Sequence, residues 1–313
     1  MSVSTVDPPV ESAAQQGELE EVGRGGWFVR ITIVVIVVLW MIPTLGVLIT
    51  SFRPEALVDS SGWWTVLAHP FQAGAWTLEN YDLAIRAGGF GNAFLNSLAV
   101  TIPSTVIPIT IAAFAAYAFA WMEFRGRYVM FVIVVGLLVV PLQMALIPIL
   151  RLYTQGVTLF GMQIFPDPHL DGTFLGVWMA HAGFGLPLAV YLLRNYIGSL
   201  PSSIIESAKI DGADNFTIFW RLVIPLSVPA LAAFAIFQFL WVWNDLLVAY
   251  VFLGGAGQNR VLTVALRELV GARGENWHLL TSAAFISMAL PLFVFFSLQK
   301  YFVRGLTAGS VKG

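Results

Sequence analysis

Cysteine is absent from this 313-residue chain. That excludes a disulfide framework, thiolate metal ligands and a cysteine nucleophile. Charge is also scarce: 11% of the residues are Asp, Glu, Lys or Arg, against about 25% in an average soluble domain. The formal net charge of −2 leaves no basic excess, so nucleic acid, whose phosphates demand one, is not a partner. Lysine occurs only at 209, 300 and 312 and never after a glycine. The chain therefore has no Gly-Lys-Ser/Thr phosphate loop and does not hydrolyse ATP by that route. Neither HExxH nor GxSxG occurs, and the four histidines (69, 169, 181, 278) are far apart in sequence. A metal site and a hydrolase elbow thus lack support.

What is present is apolar. Hydrophobic residues make up 58% of the chain and the mean hydropathy is +0.80. A run of about 20 apolar residues spans a bilayer core as a helix. Six runs qualify, at 28–50, 93–121, 128–150, 173–193, 226–250 and 279–302. The expected fold is an all-α integral membrane domain of six transmembrane helices. Ahead of it, residues 1–26 are polar and acidic (Asp7, Glu11, Glu18, Glu20, Glu21). They read as a disordered tail without the pattern of a secretory signal. Prolines 43, 103, 108, 141, 187, 229 and 291 fall in or near the runs. They are tolerated in lipid where neighbouring helices and side chains satisfy the carbonyls they free.

Six spans put both termini on one side. With the termini inside, the inner segments hold ten basic residues, including Arg125, Arg127, Arg194, Lys209 and Arg221, and the outer segments hold six. The positive-inside rule therefore places the termini and the 194–225 loop in the cytoplasm. Outside lie a long 52–92 loop with interfacial tryptophans at 63, 64 and 76, and a 253–278 loop beginning GGAGQNR. The glycines of the latter suggest a flexible tip, and VLTVALRELVGARG a short helix. No internal repeat is evident, which speaks against the inverted-repeat plan of many secondary transporters.

One inner segment breaks the apolar pattern: ESAKIDGADNFTIFWRLVIPLSVP, Glu206 to Pro229. Pro201 and Ser202 suit a helix start, and Ser203 to Ile210 has helical spacing. Gly212 stops that helix by taking a positive φ. A second short helix starts near Asp214 and carries Phe216, Phe219 and Trp220, with Pro225 and Pro229 opening the next span. The bulky apolar residues need cover, which either a partner protein or lipid headgroups would supply.

The segment resembles the EAA loop of membrane subunits in binding-protein-dependent ABC importers. Glu206, Ser207 and Ala208 stand at the first triplet of that pattern, with serine for its middle alanine. Asp211, Gly212 and Ala213 match the second triplet, and Ile224, Pro225 and Leu226 stand at the third. Further similar stretches are FLNSLAV (94–100), AAYAFAWMEFRGR (115–127), LIPIL (146–150), YLLRNYIGSLP (191–201), WNDLL (243–247) and the tail from Leu298. The likeness extends from about residue 28 onward and is nearest the second permease subunit of maltose-type carbohydrate importers.

That resemblance implies a six-helix domain over 27–305 with a coupling loop at about 200–225, a periplasmic loop at about 253–278 and a tail at 306–313. It implies a non-catalytic permease subunit in a bacterial or archaeal cytoplasmic membrane. The implied partners are a second permease, two ATPase subunits that bind ATP and Mg, and an extracytoplasmic sugar-binding protein. No cofactor is implied on this chain. ATPase coupling falls on Glu206, Ser207, Ala208, Asp211, Gly212, Ala213, Phe219 and Pro225. The periplasmic loop places Gly254, Gly255, Gly257, Gln258 and Asn259 against the binding protein, and the tail at 309–313 is a candidate contact to the ATPases. Cargo is expected to be an oligosaccharide or disaccharide such as an α-glucoside, or else glycerol phosphate or another polyol.

Polar groups within the fifth run, Gln238, Trp241, Asn244 and Asp245, share or adjoin one helix face and are candidates for a substrate path. The alternative reading is hydrogen bonding between helices, with Trp241 as an interfacial anchor, and His181 is read as a helix–helix hydrogen bonder rather than a ligand. An ion-coupled secondary transporter or a membrane enzyme are rival functions, and neither requires the 206–226 segment.

Overall fold

The computed structural model describes residues 11–86, 89–255, 257–269 and 275–307, without the side chains of 11–25 and 301–307. The helices are α1 (Glu11–Ser51), α2 (Glu55–Ser60), α3 (Glu79–Arg86), α4 (Phe90–Trp121), α5 (Arg127–Gly136), α6 (Leu142–Gln155), α7 (Phe174–Gly198), α8 (Ser202–Ile210), α9 (Asn215–Ile218), α10 (Ile224–Trp243), α11 (Leu247–Leu253), α12 (Leu262–Leu269) and α13 (Trp277–Thr307). Among the described residues, five stretches are long and apolar enough to cross a membrane: Gly26–Ser51, Phe90–Trp121, Phe174–Gly198, Asn215–Trp243 and Trp277–Lys300. A bent pair of helices makes a sixth. The chain is an all-α membrane protein, as the runs predict.

Residues up to Thr77 form one compact unit and those from Leu78 a second. In the first, α1 continues back to Glu11, inside the segment expected to be a disordered tail. ESAAQQGELEE is rich in Glu, Gln and Ala, which favour helix. Residues 1–10 lie outside the described residues. From Trp27 to Ile42 the apolar side chains of α1 are exposed, a helix hydrophobic all round that belongs in lipid or against a partner. Beyond α1 the chain is organised by Arg53. Its guanidinium is 2% exposed and donates to the carbonyls of Leu57 (2.8 Å) and Ser61 (3.0 Å) and to the Ser61 hydroxyl (2.6 Å).

The second unit is built on α4 and α7, which pack against each other more extensively than any other pair of elements. Ala112, Ala113 and Ala116 on α4 and Ala189 on α7 are buried at that contact, and small residues let two backbones approach closely. Prolines lie inside both helices. Each removes the donor to the carbonyl four residues earlier, and lipid offers no substitute. For both prolines of α4 the structure supplies a substitute from another helix. Pro103 frees the Ala99 carbonyl, and the Trp178 indole of α7 donates to it at 2.9 Å. Pro108 frees the Ser104 carbonyl, and Gln238 Nε2 of α10 donates to it at 3.2 Å. In α13, Pro291 frees the Ser287 carbonyl, which receives the Trp243 indole at 3.1 Å. Pro201, just past α7, cannot serve the Ile197 carbonyl, and the Trp121 indole of α4 does so at 2.9 Å.

Three features depart from the pattern read in the sequence. The third apolar run is not a straight helix: α5 and its 3₁₀ extension to Val139 meet α6 at 105°. Pro141 stands before α6, and Val140 ahead of it is extended (φ −73°, ψ 116°), as a residue preceding proline prefers. The fifth run is shifted. α9, a π-helical turn (Phe219–Val223) and α10 follow one another directly, so the helical stretch starts at Asn215 and ends at Trp243 rather than near 250. Finally, Val157–Leu159 and Met162–Phe165 form an antiparallel hairpin, β1 and β2. Its two-residue turn, Phe160-Gly161, has positive φ at both positions (51° and 79°), where Asn-Gly is the usual signal.

The Pro108–Gln238 pair yields a test by double-mutant cycle. Gln238→Leu should destabilise the protein by leaving the Ser104 carbonyl bare. In a Pro108→Ala background, which restores the helical donor, the same change should cost less by about 0.6 to 1.7 kcal/mol, the range for interhelical hydrogen bonds in a membrane. Unfolding by steric trapping in bicelles measures it, and strict additivity would refute the assignment.

Candidate functional site

The segment at 200–225 folds as two short helices joined at a glycine. α8 ends in a paired backbone motif: the Gly212 amide donates to the Lys209 carbonyl at 3.1 Å and the Ala213 amide to the Ala208 carbonyl at 2.9 Å. This is the Schellman arrangement, which requires a left-handed residue at its first position. Gly212 supplies it with φ +83°. Asp214 then caps α9, its carboxylate accepting the Thr217 amide at 2.8 Å. Hydrogen bonds from the Thr217 side chain and backbone hold Asp214 below the usual carboxylate range.

One face of this segment is joined to the membrane helices. Ile205, Ile218, Phe219 and Val223 are at most 2% exposed and pack with Ala116 and Tyr117 of α4 and Leu193 and Ile197 of α7. The Phe219 ring stacks on Phe114 with centroids 4.5 Å apart. The Tyr117 hydroxyl donates to Asn215 Oδ1 at 3.1 Å. The opposite face is open: Glu206, Ser207, Lys209, Asp211 and Gly212 are exposed. Two apolar side chains stand out among them, Ile210 at 86% and Phe216 at 65% exposure. Beside them, a surface concavity of about 630 Å³ is lined by Trp121, Glu123, Lys209, Asp214 and Asn215.

The predicted coupling residues therefore divide into two kinds. Glu206, Ser207, Asp211 and Gly212 are on the open face, and Ala208 and Ala213 are half-buried behind them. Pro225 is exposed in the first turn of α10. Phe219 is corrected: at 2% exposure it is an internal strut and offers no surface to a partner. Tyr117 and Asn215, which fasten the segment to α4, were missed because a tyrosine within an apolar run and a lone asparagine carry no spacing signal.

The four candidates for a substrate path do not form one face. Gln238 is fully buried and acts as the donor to Ser104 already described. Its amide presses on α7 at Gly185, where a Cβ would sit 2.8 Å from it. The helix stops at Trp243, so Asn244 and Asp245 lie in a break before α11. Asn244 is exposed, and its amide donates to the Leu240 carbonyl at 2.7 Å. The Asp245 carboxylate caps α11 through the amides of Val248 (3.3 Å) and Ala249 (3.0 Å), and its backbone oxygen accepts the Thr263 hydroxyl at 2.6 Å. Trp241 is half-buried, edge-on to the His181 ring at 6.0 Å. His181 itself is buried, 3.7 Å from the Asp245 carboxylate, beyond hydrogen-bond range.

Within the 253–278 loop, residues 258–260 are pinned. Asn96 Nδ2 of α4 donates to the carbonyls of Gln258 (2.6 Å) and Arg260 (3.0 Å). Asn259 Nδ2 donates to the Gly172 carbonyl at 3.1 Å. The helix expected within the loop is α12. Gly254, Gly257 and Gln258 are exposed and Gly255 half-buried, while the tail candidates at 309–313 lie outside the described residues.

Residues 94–308 match the family described as "Binding-protein-dependent transport system inner membrane component". The chain is 56% identical, over 91% of each sequence, to the "osmoprotective compounds uptake permease protein GgtD" of Synechocystis sp.. It is 43% identical to the "alpha-glucoside transport system permease protein AglG" of Rhizobium meliloti, over 92% of this chain and 97% of the relative. Among solved structures, a chain of a bacterial ABC transporter that imports the acidic polysaccharide alginate superposes with a TM-score of 0.68, covering 90% of this chain and 98% of that one, at 19% identity. At that identity the likeness speaks for the fold.

Nothing lies within 4 Å of a Cβ built on Gly212, so a substitution there is opposed by backbone conformation alone. Gly212→Ala should destabilise the turn by roughly 1–2 kcal/mol, and Gly212→Asn by less, because asparagine tolerates the left-handed region. Hydrogen exchange at the Ala213 amide reads the difference. Equal protection in the two variants would refute it.

Proposed function

The chain belongs to the inner membrane component family of binding-protein-dependent transport systems, and from that membership we propose that its exposed 200–225 segment is the coupling element through which an ATPase partner drives sugar import. One observation carries the reading. The segment is joined to α4 and α7 through Ile205, Ile218 and Phe219 on one face, while its other face presents charged groups around Ile210 and Phe216. A lever has that construction: its inner face moves the spans and its outer face is pushed.

The chain is a multi-pass permease subunit of an ABC importer and not itself an enzyme. A second permease would complete the path, and two ATPase subunits holding ATP and Mg would supply the energy. A binding protein would deliver cargo at the end carrying the 254–262 segment, the membrane being the cytoplasmic (inner) one with both termini inside. Ile210 and Phe216 would fill apolar recesses on the ATPase, and Glu206, Lys209 and Asp211 would fix the docking register.

For cargo, the α-glucoside relative favours a neutral glucoside, and the relative named for osmoprotective compounds favours a small compatible solute. An α-glucoside is the cargo proposed, with an osmoprotective compound the alternative. Of the residues first considered for the path, Asn244 is exposed and Trp241 and Asp245 are half-buried, so each retains accessible surface. Gln238 has none in this conformation.

The first experiment is to tag the chain in its native host, purify it gently and identify what co-purifies. An ATPase with a Gly-Lys-Ser/Thr loop and a second permease are expected. A chain that purifies alone and transports when reconstituted alone would overturn the reading. Within the assembled transporter, Gly212→Pro should abolish uptake while the chain still reaches the membrane, because proline cannot take a positive φ. Normal uptake of α-glucosides or osmolytes by that variant would remove the coupling assignment.

A further inference from the structure

α4 is attached at both ends to the two segments that face partners. At one end Asn96 and Ser97 stand side by side under the 258–262 segment. Asn96 Nδ2 donates to the Gln258 and Arg260 carbonyls at 2.6 and 3.0 Å. The Ser97 hydroxyl, 4% exposed, accepts the Leu262 amide at 2.7 Å. Leu262 is the first residue of α12, whose leading amides have no partner within the helix. Ser97 thus caps α12 from a different helix. Arg260 is also paired with Glu268 within α12, so the segment and α12 hold together.

At the other end, 20 residues beyond Ser97, Tyr117 bonds Asn215, and Phe114 stacks on Phe219. The separation is about 30 Å at the helical rise. Between the two ends α4 does not act alone. The Trp178, Gln238 and Trp121 bonds tie it to α7 and α10 at three heights. Its two internal prolines, which would otherwise be places to bend, are the positions those ties serve.

We infer that Asn96 and Ser97 are positioning residues that fasten the 258–262 segment to α4, making that segment and the 200–225 loop two ends of one rigid body. The inference rests on the coupling role proposed for the loop and goes beyond it. A push on the loop is delivered to the opposite face of the membrane without deformation, and a partner seated on the 258–262 segment acts back on the loop through the same helix. Such reciprocity is required of any coupling between sites, and a rigid element with discrete positions is a physical way to carry it.

The absence of cysteine from the chain makes a spin-label test direct. Gln258 and Ser203 are exposed. With both replaced by labelled cysteine, the distance between them is measured by double electron–electron resonance in the assembled transporter in nanodiscs. It is measured once without nucleotide and once trapped with ATP and vanadate. The expected result is one distance, unchanged between the two states. In Asn96→Ala combined with Ser97→Ala the distance should become state-dependent, because the loop moves and the 258–262 segment lags. Mere loosening would broaden both states alike. A wild-type distance that shifts between the states overturns the rigid body. A double variant whose distance stays invariant, or broadens equally in both states, overturns the role of Asn96 and Ser97. If no ATPase assembles with the chain, the coupling reading falls, and this inference with it.

Discussion

A backbone carbonyl that loses its helical donor inside a bilayer has no water to turn to, and leaving it bare costs several kcal/mol. At Ala99, Ser104 and Ser287, each four residues ahead of a proline within a helix, an indole or an amide reaching from another helix takes the place of the lost donor. Two consequences follow from that one constraint. The donors Trp178, Gln238 and Trp243 are long and must be held in one rotamer, so they fix the register of the helices they join. Pro103, Pro108 and Pro291 also cease to act as hinges, because a bend would break the cross-helix bond as well as the local turn. Apolar packing in lipid gives little preference for one helix arrangement over another. Here the directional bonds supply it.

The same logic explains where the chain does bend. At Pro141 the α5–α6 corner turns by 105°, and Val140 takes the extended conformation that the following proline imposes. At Asn244–Leu246 the span breaks without proline. Asp245 satisfies the amides of α11 with its carboxylate and Asn244 takes up the Leu240 carbonyl. A break is thus tolerated where short polar side chains close the helix ends, and a straight helix is kept where a neighbour reaches in.

Much of this was legible in the sequence, for identifiable reasons. Apolar runs mark spans because length in lipid is a strong constraint. Gly212 was readable as a turn because a helix stop at glycine has a single steric cause. The approximate place of α12 was legible in VLTVALRELVGARG, whose middle is rich in residues that favour helix. The roles of Gln238, Asp245 and Phe219 were not legible. A polar residue in a span looks the same whether it faces cargo or a freed carbonyl, and the difference lies in which proline stands opposite, on another helix far along the chain. Phe219 was not readable as buried because Ile218 and Phe219, adjacent in the chain, both face inward at 0% and 2% exposure where the chain enters a π-helical turn, a change of winding that a regular period does not anticipate. The β1–β2 hairpin was hidden because its turn uses Phe160 where asparagine would have announced it.

These placements narrow where cargo passes. Gln238 is closed off between α4, α7 and α10, and the polar line from it toward Asp245 is occupied by His181 and Trp241. A sugar moving along that line would have to replace the bond to the Ser104 carbonyl and part α7 from α10 at Gly185, where the Gln238 amide already fills the space a Cβ would take. The interior of this subunit is therefore a poor conduit. With the proposed second permease supplying the other wall of the path, one chain would be fastened by its proline-directed bonds and move as a body, while opening and closing would occur between the two. Rigidity within the subunit and passage between subunits would then be one requirement.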